Sequence, residues 1–169
     1  LVTYHPNSKN TNKTKDEINI LLSTLKKLKK VGIILTYSNT DYGHDYVNNL
    51  IEKFSKKNIY SITVKSLGDE IYRSVLKNID LVVGNSSSGI WEVPSYKIPT
   101  LNIGDRQKGR FKSKSIYDCN FDNKIIFSKI NKLMSVNYKN KFSKFKNPYY
   151  QKETISKIIN KIKFKIFDY

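Results

Sequence analysis

Residues 79–96 read IDLVVGNSSSGIWEVPSY, and they contain one complete pattern of strand, turn and helix. The first five residues form an apolar run interrupted only by Asp80, and a turn bounded by Gly84 and Gly89 follows. The next residues have helical spacing, so a helix is predicted over residues 87–96. A short, β-branched strand that passes through a glycine turn into a helix is typical of parallel sheets covered by helices.

The same pattern occurs on both sides of this stretch, with apolar runs of strand length alternating with longer amphipathic segments. The predicted strands cover residues 1–4, 32–37, 60–64, 79–83 and 99–103. The predicted helices between them cover residues 16–29, 45–56, 68–77 and 87–96. The sequence therefore predicts an α/β fold, a doubly wound parallel sheet of Rossmann-like type with right-handed crossovers.

The pattern changes after residue 103. A basic loop over residues 104–114 is followed by a helix over residues 124–134 and by a last helix over about residues 152–166. The apolar positions of the last helix form one stripe that fits packing on this domain or on another one, and they are Ile155, Ile158, Ile159 and Ile162. No linker or internal repeat divides the chain, so one domain is predicted over residues 1–169.

The charge of the chain is strongly basic, with 31 Lys and Arg against 14 Asp and Glu, a net charge of +17. Such an excess is compatible with a nucleic-acid partner. However, the excess is mostly lysine scattered along the chain among Asn, Ile and Tyr, and not arginine gathered on one helix with residues that read bases. We therefore expect non-specific affinity for anions without a dedicated nucleic-acid site.

Cysteine usage and hydropathy indicate the compartment. The single cysteine, Cys119, cannot form an internal disulfide or supply a thiolate metal cluster. No stretch has the roughly 18 to 20 apolar residues of a membrane-spanning helix, and the first residues do not resemble a signal peptide. The sequence predicts a soluble, cytoplasmic protein with no membrane partner, no metal and no cofactor.

Ligands of open parallel sheets bind beyond the carboxyl ends of the strands, so the loops that follow the predicted strands are the candidate site. Four of them carry unusual chemistry, and they are residues 4–6, 37–41, 84–89 and 104–110. The turn at residues 84–89 is the easiest to interpret, because its serines open a helix whose first amide groups lack partners. These amides and the hydroxyls of Ser86 and Ser87 suit a diphosphate, although an ordinary serine helix cap has the same sequence.

Other residues of these loops, and Glu92 one turn into the helix that follows the serines, have both a functional and a structural interpretation. His5 could donate a hydrogen bond to a phosphate or carry a proton at neutral pH. A structural histidine before a proline is equally compatible with the sequence. Arg106 and Arg110 suit bidentate contact with phosphate or simple surface exposure. Glu92 suits hydrogen bonds from sugar hydroxyls or interaction with the helix N-terminus.

Several of these segments together resemble the UDP-N-acetylglucosamine 2-epimerases. The resemblance lies in Tyr4-His5-Pro6, in the run SNTDYG at residues 38–43, and above all in residues 84–94 and 99–110, and it extends over nearly the whole chain. The motif DRQKGR at residues 105–110 resembles the hydrolysing branch of the family. That branch releases free N-acetylmannosamine or a diacetamido relative, from which nonulosonic acids such as sialic acid are made. The Thr-Glu-Arg-Pro-Glu pattern of the non-hydrolysing branch is absent there.

The resemblance implies the C-terminal half of a two-domain, glycosyltransferase-B-like enzyme, with a nucleotide held mainly by this half. It implies that Ser86, Ser87 and Arg106 hold the diphosphate. Glu92 would hold the ribose hydroxyls, His5 and Asn39 would line the UDP site, with His5 also a catalytic candidate, and Leu67 would lie near the uracil. The family reaction eliminates UDP with loss of the C2 proton and then adds water to the glycal.

The resemblance also implies that this sequence starts where the second domain starts. The general acid and base carboxylates would then come from an N-terminal domain or a separate chain, and a homodimer is compatible with the family. The choice between one and two acetamido groups on the sugar stays open. So do two other classes, a glycosyltransferase nucleotide-binding domain and a basic nucleic-acid-binding domain.

Overall fold

A computed structural model describes residues 1–6, 11–135, 141–142 and 144–167. Its centre is a six-stranded sheet in which every pairing is parallel and the strand order is β3-β2-β1-β4-β5-β6. The strands are β1 (Val2–Thr3), β2 (Ile33–Thr36), β3 (Ser61–Val64), β4 (Val82–Gly84), β5 (Thr100–Ile103) and β6 (Ile116–Cys119). This order reverses direction between β1 and β4, as in doubly wound nucleotide-binding sheets.

Helices connect the strands and cover both faces of the sheet. They are α1 (Thr11–Leu25), α2 (His44–Lys57), α3 (Gly68–Asn78), α4 (Ser88–Trp91), a 3-10 helix (Val93–Tyr96), α5 (Asn123–Met134) and α6 (Thr154–Phe167). The larger core packs α1, α2 and α5 against the sheet, and Ile18 and Leu21 of α1 are fully buried there. A second, smaller core contains Leu76 of α3 and Val93 of the 3-10 helix, which pack together with Leu1 and Val82. The predicted doubly wound α/β fold is confirmed.

Three elements differ from the sequence prediction. Strand β6 was not predicted, because its side chains are only partly buried at the edge of the sheet and a charged residue, Asp118, interrupts its apolar pattern. Helix α1 begins and ends about four to five residues earlier than predicted. The helix predicted over residues 87–96 is one α-helical turn followed by the 3-10 helix, because Glu92 lies between them with φ −102° and Pro94 lacks the N–H that a longer helix needs.

Helix α6 has no partner for its apolar stripe among the described residues. Every residue from 151 to 164 is exposed, including Ile155, Ile158, Ile159 and Ile162 with exposures between 45% and 74%. In the described part of the chain no helix is long and apolar enough to cross a membrane.

Candidate functional site

The site lies where β1 and β4 run side by side and their following loops diverge. His5 follows β1 and Asn85 follows β4, and both residues are 4% exposed. The side-chain amide of Asn85 accepts a hydrogen bond from the backbone N–H of His5 (2.7 Å) and donates one to the carbonyl of His5 (2.8 Å). The two loops are therefore locked together at the floor of the crevice.

The imidazole of His5 is held in one orientation by the loop after β2. Its Nδ1 accepts a hydrogen bond from the backbone N–H of Asn39 at 3.1 Å. Burial and, to a lesser extent, the positive charge of Arg106 lower the pKa of His5 to about 4, against the opposing effect of Asp41. His5 is therefore neutral at pH 7 with its proton on Nε2, so it presents a hydrogen-bond donor for a ligand oxygen.

The loop after β5 is tied to two other loops of the rim. Gln107 is 1% exposed, and its Nε2 donates to the carbonyl of Asn85 at 2.7 Å. Its neighbour Arg106 extends from the same loop and pairs with Asp41 of the β2 loop, with Nη2 and Oδ2 3.2 Å apart. The loops after β1, β2, β4 and β5 thus form a closed ring of hydrogen bonds through His5, Asn39, Asn85, Gln107, Arg106 and Asp41, called the rim ring below.

The serine turn provides hydrogen-bond donors beside the rim ring. The carbonyl of Ser87 accepts hydrogen bonds from the amides of Ile90 and Trp91 at 2.9 and 3.0 Å, but its side chain does not cap α4. Within the described residues, the backbone N–H groups of Ser86, Ser87 and Ser88 have no hydrogen-bond partner. Ser86 and Ser88 place their hydroxyl oxygens 3.2 Å apart. The turn can therefore bind an anion through amides and hydroxyls, although α4 is too short to add much of a helix dipole.

Glu92 and Leu67 are both related to α3, Leu67 through the chain and Glu92 through charged groups of that helix. Leu67 is the residue before α3 and packs partly into the smaller core. Glu92 follows α4 and keeps part of its side chain in solvent, and the partial burial of its carboxyl group and the nearby Asp69 of α3 raise its pKa. Burial also raises the pKa of Tyr72, on the same helix, to about 12. Glu92 therefore lies near the first turns of α3, the helix that follows Leu67.

Arg110 does not join the rim ring. Its guanidinium carbon lies 4.6 Å from the centre of the Trp91 ring, in a cation–π contact. Tyr149 packs against the same ring at 6.2 Å between centroids, and its hydroxyl donates to the carbonyl of Phe111 at 2.8 Å. The structure therefore gives Arg110 a contact that braces the loop, and of the two arginines of this loop only Arg106 joins the rim ring.

A cavity of about 580 Å³ lies at the opposite end of the sheet, among residues that include Ile33, Ser61 and Leu81. These residues are at the amino ends of the strands. Ligands of open parallel sheets bind at the carboxyl ends, so this cavity is on the wrong side for a nucleotide.

The structure brings some predicted site residues together and adds three others. His5, Asn39 and Arg106 meet in the rim ring, and Ser86 and Ser87 follow its Asn85 directly. Glu92 and Leu67 have no contact with the ring among the described residues and are associated with α3 instead. The additions are Asp41, Asn85 and Gln107, which were inside the quoted motifs but were not chosen as site residues. Asn85 and Gln107 could have been suspected, because amide side chains after strands commonly hold loops, whereas nothing in the sequence pairs Asp41 with Arg106.

The strand order 3-2-1-4-5-6, with a crevice at the switch point between β1 and β4, defines a doubly wound α/β domain of the Rossmann-like class. The sequence matches the UDP-N-acetylglucosamine 2-epimerase family over residues 1–163. The chain therefore belongs to the UDP-N-acetylglucosamine 2-epimerase family.

Two curated relatives show the range of the family. The chain is 40% identical over 119 residues to the GDP/UDP-N,N'-diacetylbacillosamine 2-epimerase (hydrolyzing) of Campylobacter jejuni. The aligned residues cover 70% of this chain and 31% of that protein. It is 34% identical over 166 residues to the polysialic acid biosynthesis protein P7 of Escherichia coli, which covers 96% of this chain and 42% of that protein. The chain thus spans about a third to two fifths of the length of these relatives.

Solved structures with the same fold include two with bound nucleotide. The S. aureus MnaA-UDP co-structure superposes with a TM-score of 0.72 at 13% identity, over 97% of this chain and 45% of that one. The UDP-GlcNAc 2-epimerase from Neisseria meningitidis bound to UDP-GlcNAc gives a TM-score of 0.68 at 16% identity, over 97% and 43%. The matched part is the C-terminal half of these epimerases, which confirms the expected half of a two-domain fold.

Proposed function

We propose that this chain is the UDP-binding half of a hydrolysing UDP-N-acetylglucosamine 2-epimerase, whose substrate is UDP-N-acetylglucosamine or a diacetamido relative. The observation that carries the proposal is the rim ring, which holds a neutral His5 and Arg106 beside the free amides of the serine turn. The hydrolysing activity in the name of the Campylobacter jejuni relative supports this branch. The family match favours an epimerase over the glycosyltransferase alternative.

Each site residue has a chemical role in this proposal. Ser86 and Ser87 donate hydrogen bonds to the diphosphate, and Arg106 neutralises it from the loop after β5. The carboxylate of Glu92 accepts hydrogen bonds from the ribose hydroxyls, which places the uracil toward Leu67. His5 and Asn39 line the UDP site between these groups.

The proposed reaction has two steps. Breaking the anomeric C–O bond releases UDP while the C2 proton is lost, and water then adds to the resulting glycal. The serine amides, Arg106 and the Nε2–H of His5 stabilise the negative charge that develops on the departing diphosphate. A low pKa makes His5 a hydrogen-bond donor here instead of the acid that delivers a proton, so its catalytic part is to stabilise the leaving group.

The proposal assigns proton transfer at the sugar to carboxylates outside the 169 residues, on an N-terminal domain or a separate chain. Helix α6 offers a contact for that part, because its apolar stripe is exposed on this chain. We propose that α6 packs on the other half of the enzyme and that the chain alone binds UDP without turnover. The proposed setting is the cytoplasm, with a homodimer as the assembly.

Calorimetric titration of the chain with UDP, with UMP and with a short oligonucleotide tests the proposal at moderate salt, where scattered lysine contacts are screened. Saturable binding that prefers UDP is the expected result. Binding of the oligonucleotide alone, with a steep dependence on salt and none of UDP, would contradict the proposal and assign the basic surface as the function.

A further inference from the structure

The ion pair between Asp41 and Arg106 crosses the crevice. Asp41 belongs to the loop after β2 and Arg106 to the loop after β5, and β1 and β4 lie between these strands. Three strand spacings separate β2 from β5, a distance of about 14 Å at the level of the sheet. The pair must therefore pass over the carboxyl ends of β1 and β4, above His5 and Asn85.

The electrostatics of His5 agree with this path. Arg106 lowers the pKa of the imidazole and Asp41 raises it, so both charges act on the ring from nearby. The imidazole is fixed from below by Asn85 through the backbone and from the side by the N–H of Asn39. The ion pair thus lies close to the part of the rim that His5, Asn39 and Asn85 join by hydrogen bonds.

The geometry of the pair leaves most of the guanidinium free. One nitrogen, Nη2, contacts Asp41 at 3.2 Å, and the described residues show no other partner for the side chain. A guanidinium has five N–H donors in a planar fork, so an edge remains for phosphate oxygens while Asp41 keeps its contact. The arginine side chain is 36% exposed, and without Asp41 it would be free to leave the crevice for solvent.

We propose that Asp41 is a positioning residue that holds Arg106 over the crevice, and that this placement gives the site its preference for a nucleoside diphosphate over a monophosphate. The inference rests on the proposed UDP-binding function. The serine turn supplies donors on the β4 side of the crevice, and Arg106 supplies them from the β5 side. Only a ligand with a second phosphate can accept hydrogen bonds from the serine turn and from Arg106 at the same time.

The sign of the effect separates positioning from simple charge. Removing a carboxylate near an anion site favours the anion, so a general charge effect would strengthen UDP binding. Loss of positioning does the opposite, because ordering a free arginine side chain on binding costs conformational entropy. We expect Asp41→Asn to weaken UDP binding about three- to tenfold and UMP binding by less.

The experiment measures dissociation constants for UDP and UMP by calorimetry on the whole chain. The matched control is Asp45→Asn, which removes the same charge from an exposed carboxylate paired with His44 instead of Arg106. The second variant is Arg106→Gln, alone and combined with Asp41→Asn. We expect Asp45→Asn to leave UDP binding unchanged or slightly tighter, and the double variant to bind UDP as weakly as Arg106→Gln alone.

Three results would overturn the inference. Tighter UDP binding by Asp41→Asn would make Asp41 a competitor of the ligand. An equal loss for UDP and UMP, or a further loss in the Arg106→Gln background, would make its role structural. Failure of the unsubstituted chain to bind UDP would instead refute the proposed function, so the two failures are distinguishable.

Discussion

Asn85 and His5 are joined by two hydrogen bonds, in which the side-chain amide of Asn85 pairs with both the N–H and the carbonyl of His5. The backbone N–H of Asn85 also donates to the carbonyl of Thr3 at 3.2 Å. The amide therefore does what a neighbouring strand would do, and it extends the pairing of β1 and β4 by one residue past the ends of the strands. A crevice can open above this point without leaving buried backbone groups unpaired.

Replacing Asn85 with alanine tests how much this link contributes. The change removes both hydrogen bonds and leaves the buried N–H and carbonyl of His5 unpaired, so we expect the free energy of unfolding to fall by about 2–4 kcal/mol. Urea denaturation measures this. Asn78→Ala is the control, because that exposed asparagine makes a single hydrogen bond, to the carbonyl of Ser74. Equal losses in the two variants would mean that the link is no stronger than a surface contact.

The glycine that ends β4 should not tolerate a side chain. Gly84 has φ +136°, and a Cβ built there would lie 1.9 Å from the carbonyl oxygen of Thr3 on the neighbouring strand. We expect Gly84→Ala to lower the free energy of unfolding by at least about 2 kcal/mol, because backbone has to move. Gly32→Ala is a matched control, since nothing lies within 4 Å of its added Cβ. A thermal melt that ranks the two variants equally would contradict this reason for the glycine.

The sheet was largely predictable because five of its six strands are short, β-branched runs between clear helical patterns. Burial at the centre of a parallel sheet leaves this record in the sequence. Strand β6 leaves a weaker pattern, because none of its side chains is fully buried and the charged Asp118 lies within it. The interruption at Glu92 was also not predicted, since a helical pattern does not distinguish one α-turn plus a 3-10 turn from a continuous helix.

The candidate site was predictable to the level of loops, because the carboxyl ends of parallel strands always meet at one edge. The partners within it were not. Asp41 and Arg106 are 65 residues apart, and their pairing depends on where two loops direct their side chains. The contact of Arg110 with Trp91 was not predictable either, because it also depends on where a loop directs its side chain.

Three single substitutions separate a site from diffuse attraction by the net charge. Ser87→Ala and Arg106→Ala should each weaken UDP binding, the second by about tenfold or more because a charge-assisted contact is lost. Lys161→Ala, on the exposed face of α6, removes one positive charge away from the crevice and should leave UDP binding unchanged. Calorimetry at moderate salt measures all three. Equal effects would indicate that the lysine-rich surface, and not the crevice, attracts the nucleotide.

The buried imidazole of His5 should make stability depend on pH. Its pKa in the folded chain is about 4, below its ordinary value of 6.5, so between these values the unfolded chain binds more protons. The contribution of this group is therefore complete above about pH 6.5 and is lost as the pH falls through 4, by on the order of 3 kcal/mol. Urea midpoints of the unsubstituted chain and of His5→Gln, measured at pH 7.5 and at pH 4.5, test this. We expect the midpoint of the unsubstituted chain to fall more on acidification, while His44→Gln, which removes the other histidine of the sequence, keeps the full dependence. Parallel curves for all three proteins would show that His5 is not held neutral by burial.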